Sequence, residues 1–348
     1  IEGDLYRFND KGRITKKILQ SSMCSIMYYK GFSLLRTINI QETADFILSF
    51  ADKLDKVSLS FLVDDLQIRR GGVGANVAFS MGKLGLRPIL VGAVGKDFAE
   101  YRSWLERHNV DCQSIHYSQD KHTARFVCTT DDAANQIASF YPGAMSESNL
   151  IELGPVIDRV GKIDFVFIGP SDPSAMIKHT EEAKQRGIAF IADPSQQMAR
   201  MDGKEIAKLI DGATYLFMNE YESSLIEKKV GWNTDELMKR VETVVTTLGA
   251  KGARIQSKNE VIATVACPPE TERIDPTGVG DSFRAGYLAA YSWGLKPERC
   301  AQVGSMLATY VIETVGTQEY SFSNSEFVSR FENFYGKDAA LEIKPFLK

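Results

Sequence analysis

Short apolar runs alternate with amphipathic stretches from about residue 57 to the end of the chain. Apolar runs bounded by Gly, Asp, Asn or Pro are typical of strands buried on both faces, whereas apolar positions three and four residues apart indicate helices. The predicted strands are residues 88–94, 165–169, 188–192, 215–218 and 244–248, and the clearest helices are residues 75–84 and 175–186. This order predicts an α/β fold with a central, mostly parallel sheet and helices on both faces.

Two segments depart from this pattern because polar and apolar residues alternate along them. Residues 56–61 (KVSLSF) alternate in this way, and residues 123–130 and 135–141 predict a hairpin. Half-exposed strands do not fit a sheet that is covered on both faces. We therefore predict a small antiparallel β lid, with segments at about residues 56–70 and 120–142, over the carboxyl edge of the main sheet. An ordinary surface hairpin is the alternative.

The most informative motif is DPTGVGD, at residues 275–281, where a loop leads into a helix. Gly278 and Gly280 allow successive backbone N–H groups to converge on an anion, and the helix adds the positive end of its dipole. A carboxylate does not favour an anion, so Asp281 is expected to accept a proton from a hydroxyl that attacks a phosphate. An acidic cap after a glycine turn is the simpler interpretation. The apolar residues of 283–291 favour the former, because they predict a buried helix that would hold the site rigidly.

A second glycine turn, RGGVGANVA at residues 70–78, also opens a predicted helix and places Asn76 at its start. A single glycine cluster is weak evidence for a ligand site. This cluster directly follows the first predicted lid strand. We therefore expect its backbone and the side chain of Asn76 to face whatever lies under the lid.

Composition narrows the class of protein. The chain has 348 residues, 44% of them hydrophobic and 25% charged, which fits one large α/β domain. Its net charge of −4 is spread without a basic block, so a nucleic-acid partner is not expected. Apolar runs stay well short of the roughly 18 residues that cross a membrane. Five separated cysteines without a C-x-x-C pair indicate neither disulfides nor zinc, and a reducing, cytoplasmic location is expected.

Taken together, the two glycine motifs resemble those of the ribokinase-like (PfkB) family of sugar and nucleoside kinases. The resemblance covers about residues 57–335 and keeps the family's order of Gly-Gly, lid, Asn-x-x-Glu, Thr-x-Gly and Gly-x-Gly-Asp. Within the family, the chain looks most like actinobacterial-type adenosine kinases through residues 56–65, 136–143, 193–197 and 313–318. The resemblance implies a ribokinase-like fold and the phosphorylation of the 5′-hydroxyl of adenosine by ATP, which gives AMP in purine salvage.

The resemblance also implies roles for individual residues. Asp281 is the base that takes the proton of the 5′-hydroxyl, and the backbone of Gly278, Val279 and Gly280 is the anion hole for the transferring phosphate. Asn219 and Glu222 organise Mg²⁺, largely through water. The residues expected to bind ATP are Asn219, Thr247, Gly249, Lys251 and Gly252. The residues expected to bind the nucleoside are Asp45, Gly72, Asn76, Phe126, Phe140, Gln196 and Gln197.

Several of these side chains have two interpretations at this stage. Phe140 is expected to stack on the purine, an interaction that contributes about 1–3 kcal/mol in nucleic-acid complexes. Phe126 is either a second wall for the base or a residue of the lid core. Lys251 binds nucleotide or lies in a solvated turn. Arg284 either supports the charge of the transferring phosphate or forms a structural ion pair.

The amino end departs from the family pattern, which usually begins with a strand and a loop whose Asp binds two sugar hydroxyls. The candidates to replace that acid are Asp45, which we prefer, and residues 24–29, where a Tyr would take its place. Residues 1–36 are accordingly interpreted as an N-terminal extension and residues 37–348 as the kinase domain.

Two other functions compete with the adenosine kinase hypothesis. A PfkB sugar kinase, such as a ribokinase or fructokinase, is disfavoured by Phe140 and by the pair Gln196 and Gln197. A noncatalytic scaffold is disfavoured by Asp281, since a scaffold needs no base. The expected partners are adenosine or a related nucleoside, ATP, and a second copy of the chain paired through the exposed edges of the lid.

Overall fold

The computed structural model describes residues 3–8, 14–20, 66–130, 136–257 and 260–347. The strands, in chain order, are β1 (Gly3–Phe8), β2 (Ile14–Gln20), β3 (Gly92–Val94), β4 (Ile115–Tyr117), β5 (Arg125–Thr130), β6 (Gln136–Tyr141), β7 (Phe165–Ile168), β8 (Ala189–Ala192), β9 (Tyr215–Asn219), β10 (Thr243–Thr247), β11 (Ala253–Ser257) and β12 (Glu260–Val265). The α-helices are α1 (Val73–Lys83), α2 (Ala99–Arg107), α3 (Leu153–Val160), α4 (Pro173–Gln185), α5 (Gly203–Ile210), α6 (Glu220–Val230), α7 (Thr234–Met238), α8 (Val279–Ser292), α9 (Pro297–Ile312), α10 (Asn324–Tyr335) and α11 (Lys337–Ile343). These elements fall into two compact units.

The larger unit is built around a six-stranded sheet in the order β12-β11-β10-β9-β8-β7. Strands β7 to β10 are parallel, and β11 and β12 add an antiparallel edge. Side chains of β9 alternate between two hydrophobic cores: Phe217 belongs to one, and Leu216 and Met218 belong to the other. Each face of the sheet therefore carries its own packed layer. Four of the five strands predicted from the sequence are confirmed as the parallel strands of this sheet.

The fifth predicted strand, at residues 88–94, differs from the expectation. Its last three residues form β3, which pairs in parallel with β4 in a separate two-stranded sheet. An isolated bridge between Ile89 and Asp111 precedes that pair. Pro88 has no N–H to donate and Gly92 has no side chain to bury, so this run supports only a short ladder.

The smaller unit contains two described hairpins, β1–β2 and β5–β6, each antiparallel. The second is the hairpin that the alternating pattern predicts, and it pairs Phe126 directly with Phe140. Both rings are exposed, at 67% and 48%. The predicted lid strand at residues 56–61 and the hairpin turn lie outside the described residues. A homodimer through the lid stays a prediction.

Helix α8 is the buried centre of the larger unit, as its small and apolar residues predict. All residues from 282 to 290 are buried. Its close neighbour is α9, where Gly286 of one helix faces Gly304 of the other. A Cβ built at Gly286 would lie 2.8 Å from the Cα of Gly304, so the two backbones touch without intervening side chains.

We expect Gly286→Ala to destabilise the protein because the added methyl meets backbone atoms that cannot turn away. Overpacking of this kind typically costs about 1–3 kcal/mol, which thermal or urea unfolding would measure. The matched control is Gly92→Ala, because a Cβ at Gly92 would have no atom of the described residues within 4 Å. Equal stability of the two variants would contradict the proposed close contact between α8 and α9.

Candidate active site

Three polar residues meet at the carboxyl edge of the parallel strands. Asp193 follows β8, Asn219 ends β9 and Thr247 ends β10. Asn219 and Thr247 are directly paired across the two neighbouring strands. Ligands of open α/β sheets bind at this edge, because loops from successive strands converge there.

The first turn of α8 has the geometry of an anion site. Gly278 precedes the helix in the left-handed conformation, with φ 78°. The first hydrogen bond of the helix runs from the N–H of Ser282 to the Gly278 carbonyl over 2.9 Å. Within the described chain, the N–H groups of Gly280 and Asp281 have no acceptor. These donors and the positive end of the helix dipole are available to a phosphate.

The loop before this turn is held by its own aspartate. Asp275 accepts hydrogen bonds from the backbone N–H of Thr277 and of Gly316, each 2.9 Å long. Although burial opposes the effect, these bonds lower the pKa of the Asp275 carboxyl. Gly278 is also required for packing, since a Cβ there would lie 2.8 Å from Cγ2 of Thr317. The glycine turn is therefore fixed from both sides.

Asp281 lies in the first turn of α8 and is hydrogen-bonded to Asn76 of α1. The Nδ2 atom of Asn76 donates to Oδ2 of Asp281 over 2.7 Å. Asn76 is only 4% exposed, and its Oδ1 accepts a hydrogen bond from Gln318. This amide thus links the candidate base to the protein interior, and its expected contact with the acceptor substrate stays a prediction. Gly72, just before α1, has φ 96°, and a Cβ built there would have no atom of the described residues within 4 Å.

Arg284 forms a buried ion pair, which is one of the two interpretations left open by the sequence; support of the charge on the transferring phosphate stays a prediction. Its Nη2 donates to Oδ1 of Asp193 over 2.7 Å, and its Nε lies 2.5 Å from Oδ2. The two side chains are only 7% and 1% exposed. Burial raises the pKa of Asp193 to about 6, against the attraction of Arg284. The guanidinium also donates to the carbonyl of Gly280, within the same first turn of α8.

Asn219 and Glu222 form a reciprocal capping box at the start of α6. The side chain of Asn219 accepts from the N–H of Glu222, and Oε2 of Glu222 accepts from the N–H of Asn219, each over 2.8 Å. That Oε2 atom lies 3.9 Å from Nη2 of Arg284. The described residues contain no cluster of three or more metal-ligating side chains. The motif therefore has a structural role, and its expected role in organising Mg²⁺ stays a prediction.

The glycine turn after β10 is strongly conformationally constrained. Residues Gly249–Lys251 form a single 3-10 turn, and Gly249 and Gly252 have φ values of 59° and 92°. A Cβ at Gly252 would collide with the carbonyl of Val265. Lys251 is exposed. The turn follows Thr247 and lies at the same edge of the sheet as Asn219.

The two glutamines after β8 have different surroundings. Gln196 is exposed and accepts a hydrogen bond from the hydroxyl of Ser195. Gln197 is only 5% exposed, and its Oε1 has no hydrogen-bond partner among the described residues. Asp45, our preferred ribose-binding acid, lies outside the described residues, and so does the alternative stretch at residues 24–29.

Sequence reasoning missed the side chains that surround Asn76. Gln318 contacts it, and Trp104 and Tyr101 of α2 contact Gln318. Gln318 belongs to a stretch, residues 313–318, that carried the family resemblance without an assigned role. No local pattern marks Trp104 or Tyr101, because their partner lies more than 200 residues further along the chain.

Asp193→Asn is expected to destabilise the protein strongly because it leaves Arg284 buried without its ion-pair partner. Breaking one side of a buried pair typically costs about 3–5 kcal/mol, and chemical denaturation would measure the loss. As a control, Lys239→Met removes the exposed pair with Glu236 and should leave the midpoint unchanged. A similarly small effect in Asp193→Asn would show that the buried pair does not anchor α8.

Comparisons with known proteins agree with this geometry. The sequence model described as the pfkB family carbohydrate kinase matches residues 40–324. A nucleoside kinase of Methanothermobacter thermautotrophicus is 32% identical over 295 residues, covering 84% of this chain and 94% of that protein. The Burkholderia thailandensis nucleoside kinase in complex with inosine has a TM-score of 0.75 at 32% identity, covering 80% of this chain and 92% of its own. The complex of the same enzyme with ADP-inosine has a TM-score of 0.73 at 31% identity. That match covers 83% of this chain and 91% of the Burkholderia chain.

The sheet, its flanking helices and the small antiparallel hairpin define a ribokinase-like α/β fold, which confirms the predicted fold class. The chain belongs to the pfkB carbohydrate kinase family. None of the helices among the described residues is long and apolar enough to cross a membrane.

Proposed function

We propose that this protein is a nucleoside kinase that transfers a phosphoryl group from ATP to the 5′-hydroxyl of a nucleoside. Adenosine is the acceptor that we propose first, on the basis of the sequence resemblance. The observation that carries the proposal is the first turn of α8. It combines N–H donors that have no partner among the described residues with a carboxylate, Asp281, that is held by a hydrogen bond from Asn76.

Asp281 acts as the general base in this proposal. One carboxylate oxygen accepts the hydrogen bond from Asn76, so the other oxygen is left to take the proton from the attacking hydroxyl. The oxygen of that hydroxyl then bonds to phosphorus as the bond to the leaving nucleoside diphosphate breaks. The N–H groups of Gly280 and Asp281 donate to the oxygens of the transferring group, where charge is concentrated in the transition state.

The residues at the sheet edge fit a nucleotide and its magnesium ion. Thr247 is paired with Asn219 and carries a hydroxyl, and the Gly249–Lys251 turn that follows adds backbone groups and the exposed side chain of Lys251. The capping box uses only Oε2 of Glu222, so Asn219 and Glu222 are suited to hold Mg²⁺ through water, the mode that this ion favours. When bound, Mg²⁺ would neutralise charge on the phosphates.

The acceptor side of the proposal rests on two observations. The Oε1 atom of Gln197 is buried and has no hydrogen-bond partner in the part of the chain that the structure describes, as expected of an atom that accepts a hydrogen bond from a ligand. Phe140 exposes its ring on the β5–β6 hairpin and is proposed to stack on the base. The relative that binds inosine supports a purine nucleoside as the acceptor class.

Asp281→Asn is expected to lower kcat by about 10²–10⁴, because a general base contributes a factor of that order. ADP release would be measured with ATP and Mg²⁺ in the presence of adenosine, inosine, ribose or fructose. Asp338→Asn is the matched control: Asp338 also lies in the first turn of a helix, but in α11.

We expect the wild-type protein and Asp338→Asn to turn over a nucleoside, and we expect Asp281→Asn to lose this turnover. Turnover with ribose or fructose alone would replace the nucleoside with a sugar and keep the mechanism. An absence of turnover in the wild-type protein with every acceptor would contradict kinase activity and favour the scaffold interpretation.

Phe140→Ala is expected to raise the KM for the nucleoside roughly tenfold, since a base–aromatic stack contributes about 1–3 kcal/mol. The KM for ATP should not change. Phe126 is paired with Phe140, so the two rings share one face of the hairpin. Val127 follows Phe126 and therefore lies on the opposite face, which makes it a suitable control. If Val127→Ala and Phe140→Ala had equal effects on the KM for the nucleoside, stacking by Phe140 would be wrong.

A further inference from the structure

A continuous set of side-chain hydrogen bonds runs from α2 to Asp281. The indole Nε1 of Trp104 donates to Oε1 of Gln318 over 3.1 Å. Nε2 of Gln318 donates to Oδ1 of Asn76 over 2.9 Å, and Nδ2 of Asn76 donates to Oδ2 of Asp281 over 2.7 Å. Gln318 is 1% exposed and Asn76 is 4% exposed, so water has little access to either amide.

The direction of these hydrogen bonds is fixed by the chemistry of Trp104. An indole nitrogen donates a hydrogen bond and cannot accept one. The oxygen of Gln318 must therefore face Trp104, which turns the NH₂ group of Gln318 toward Asn76. The oxygen of Asn76 must then face Gln318, which leaves the NH₂ group of Asn76 directed at Asp281.

Tyr101 fixes the same direction independently. Its hydroxyl donates to the carbonyl of Gly71, a group that can only accept, over 2.9 Å. Burial raises the pKa of Tyr101, so the hydroxyl keeps its proton. Its lone pairs are then left to accept from Nε2 of Gln318, which again places the NH₂ group of Gln318 on this side. Two separate groups thus select one orientation of the Gln318 amide.

We propose that Gln318 is a positioning residue for phosphoryl transfer: by fixing the amide of Asn76, it holds an N–H donor on the carboxylate of Asp281. The inference rests on the proposed function, because it assigns Gln318 a role in support of the base. The reverse orientation of Asn76 would place its oxygen against the carboxylate, which would repel Asp281 from its place. With the donor in place, Oδ2 is occupied and Oδ1 is presented to the hydroxyl of the acceptor.

Gln318→Met keeps the length of the side chain and removes its amide. We expect kcat to fall about tenfold, because a base that is less well placed loses part of its catalytic factor. The KM for ATP should stay unchanged. Trp104→Phe keeps a ring and removes the indole N–H, and it should lower kcat by a smaller factor because Tyr101 still orients Gln318. The matched control is Gln302→Met, which removes a buried glutamine of α9 whose side chain accepts a hydrogen bond from Arg299.

A purely structural role would give a different pattern. Loss of packing alone would lower the unfolding temperature and raise the KM for ATP together with any fall in kcat, in Gln302→Met as well as in Gln318→Met. An unchanged kcat in Gln318→Met, or this combined pattern, would overturn the proposal.

A second measurement does not depend on turnover. In protein labelled with [¹⁵N]asparagine, the side-chain NH₂ resonances of Asn76 are the pair lost in Asn76→Asp. We expect these resonances to move both in Asp281→Asn, where the acceptor loses its charge, and in Gln318→Met, where, among the described residues, the oxygen of Asn76 keeps only the hydroxyl of Thr317 as a donor. Resonances that move in Asp281→Asn but not in Gln318→Met would overturn the positioning role. If the wild-type protein phosphorylates neither nucleosides nor sugars, the proposed function fails, and this spectrum still decides whether Gln318 orients Asn76.

Discussion

The buried ion pair between Arg284 and Asp193 is the interaction on which the candidate site depends most. Arg284 is on α8, one turn after Asp281, and Asp193 follows strand β8, so the pair ties the helix to the carboxyl edge of the sheet. Because the guanidinium also contacts the carbonyl of Gly280, the ion pair fixes the same turn whose N–H groups find no acceptor among the described residues. A buried pair of this kind is costly to break, which makes it suited to hold one geometry.

Other contacts approach the same turn from different elements. Asn76 reaches Asp281 from α1, and Asp275 ties the preceding loop to Gly316. Close packing of Gly286 on α9 leaves the helix no room to shift. Phosphoryl transfer depends mainly on positioned groups and fixed dipoles, so rigid support of this turn is what the proposed chemistry requires.

Features encoded in local patterns could be predicted from the sequence. The parallel strands follow from continuous apolar runs, the β5–β6 hairpin from alternation, and the buried helix α8 from its small and apolar residues. The glycine turn at residues 275–281 was recognisable because Gly278 must adopt a left-handed conformation. Residues 88–94 look like a central strand by composition, but Pro88 removes a donor and the ladder is short.

Hydrogen bonds between residues that lie far apart in the sequence could not be predicted. Nothing in the local sequence of Trp104 indicates that it orients Gln318, and nothing near Asn76 indicates that its amide faces Asp281. The Asn219 and Glu222 motif is compatible with two roles, since the same spacing suits a capping box and a water-mediated magnesium site. A sequence pattern fixes which groups are present, whereas their hydrogen-bond directions follow only from the assembled fold.

The proposed reaction moves a phosphoryl group from ATP to the 5′-oxygen of a nucleoside. The most direct measurement is the structure of the product, determined by phosphorus NMR with proton coupling after reaction with adenosine or inosine. We expect a nucleoside 5′-monophosphate, with the phosphorus coupled to the two 5′ protons. A phosphate on another oxygen, or inorganic phosphate released from ATP with the nucleoside unchanged, would contradict it.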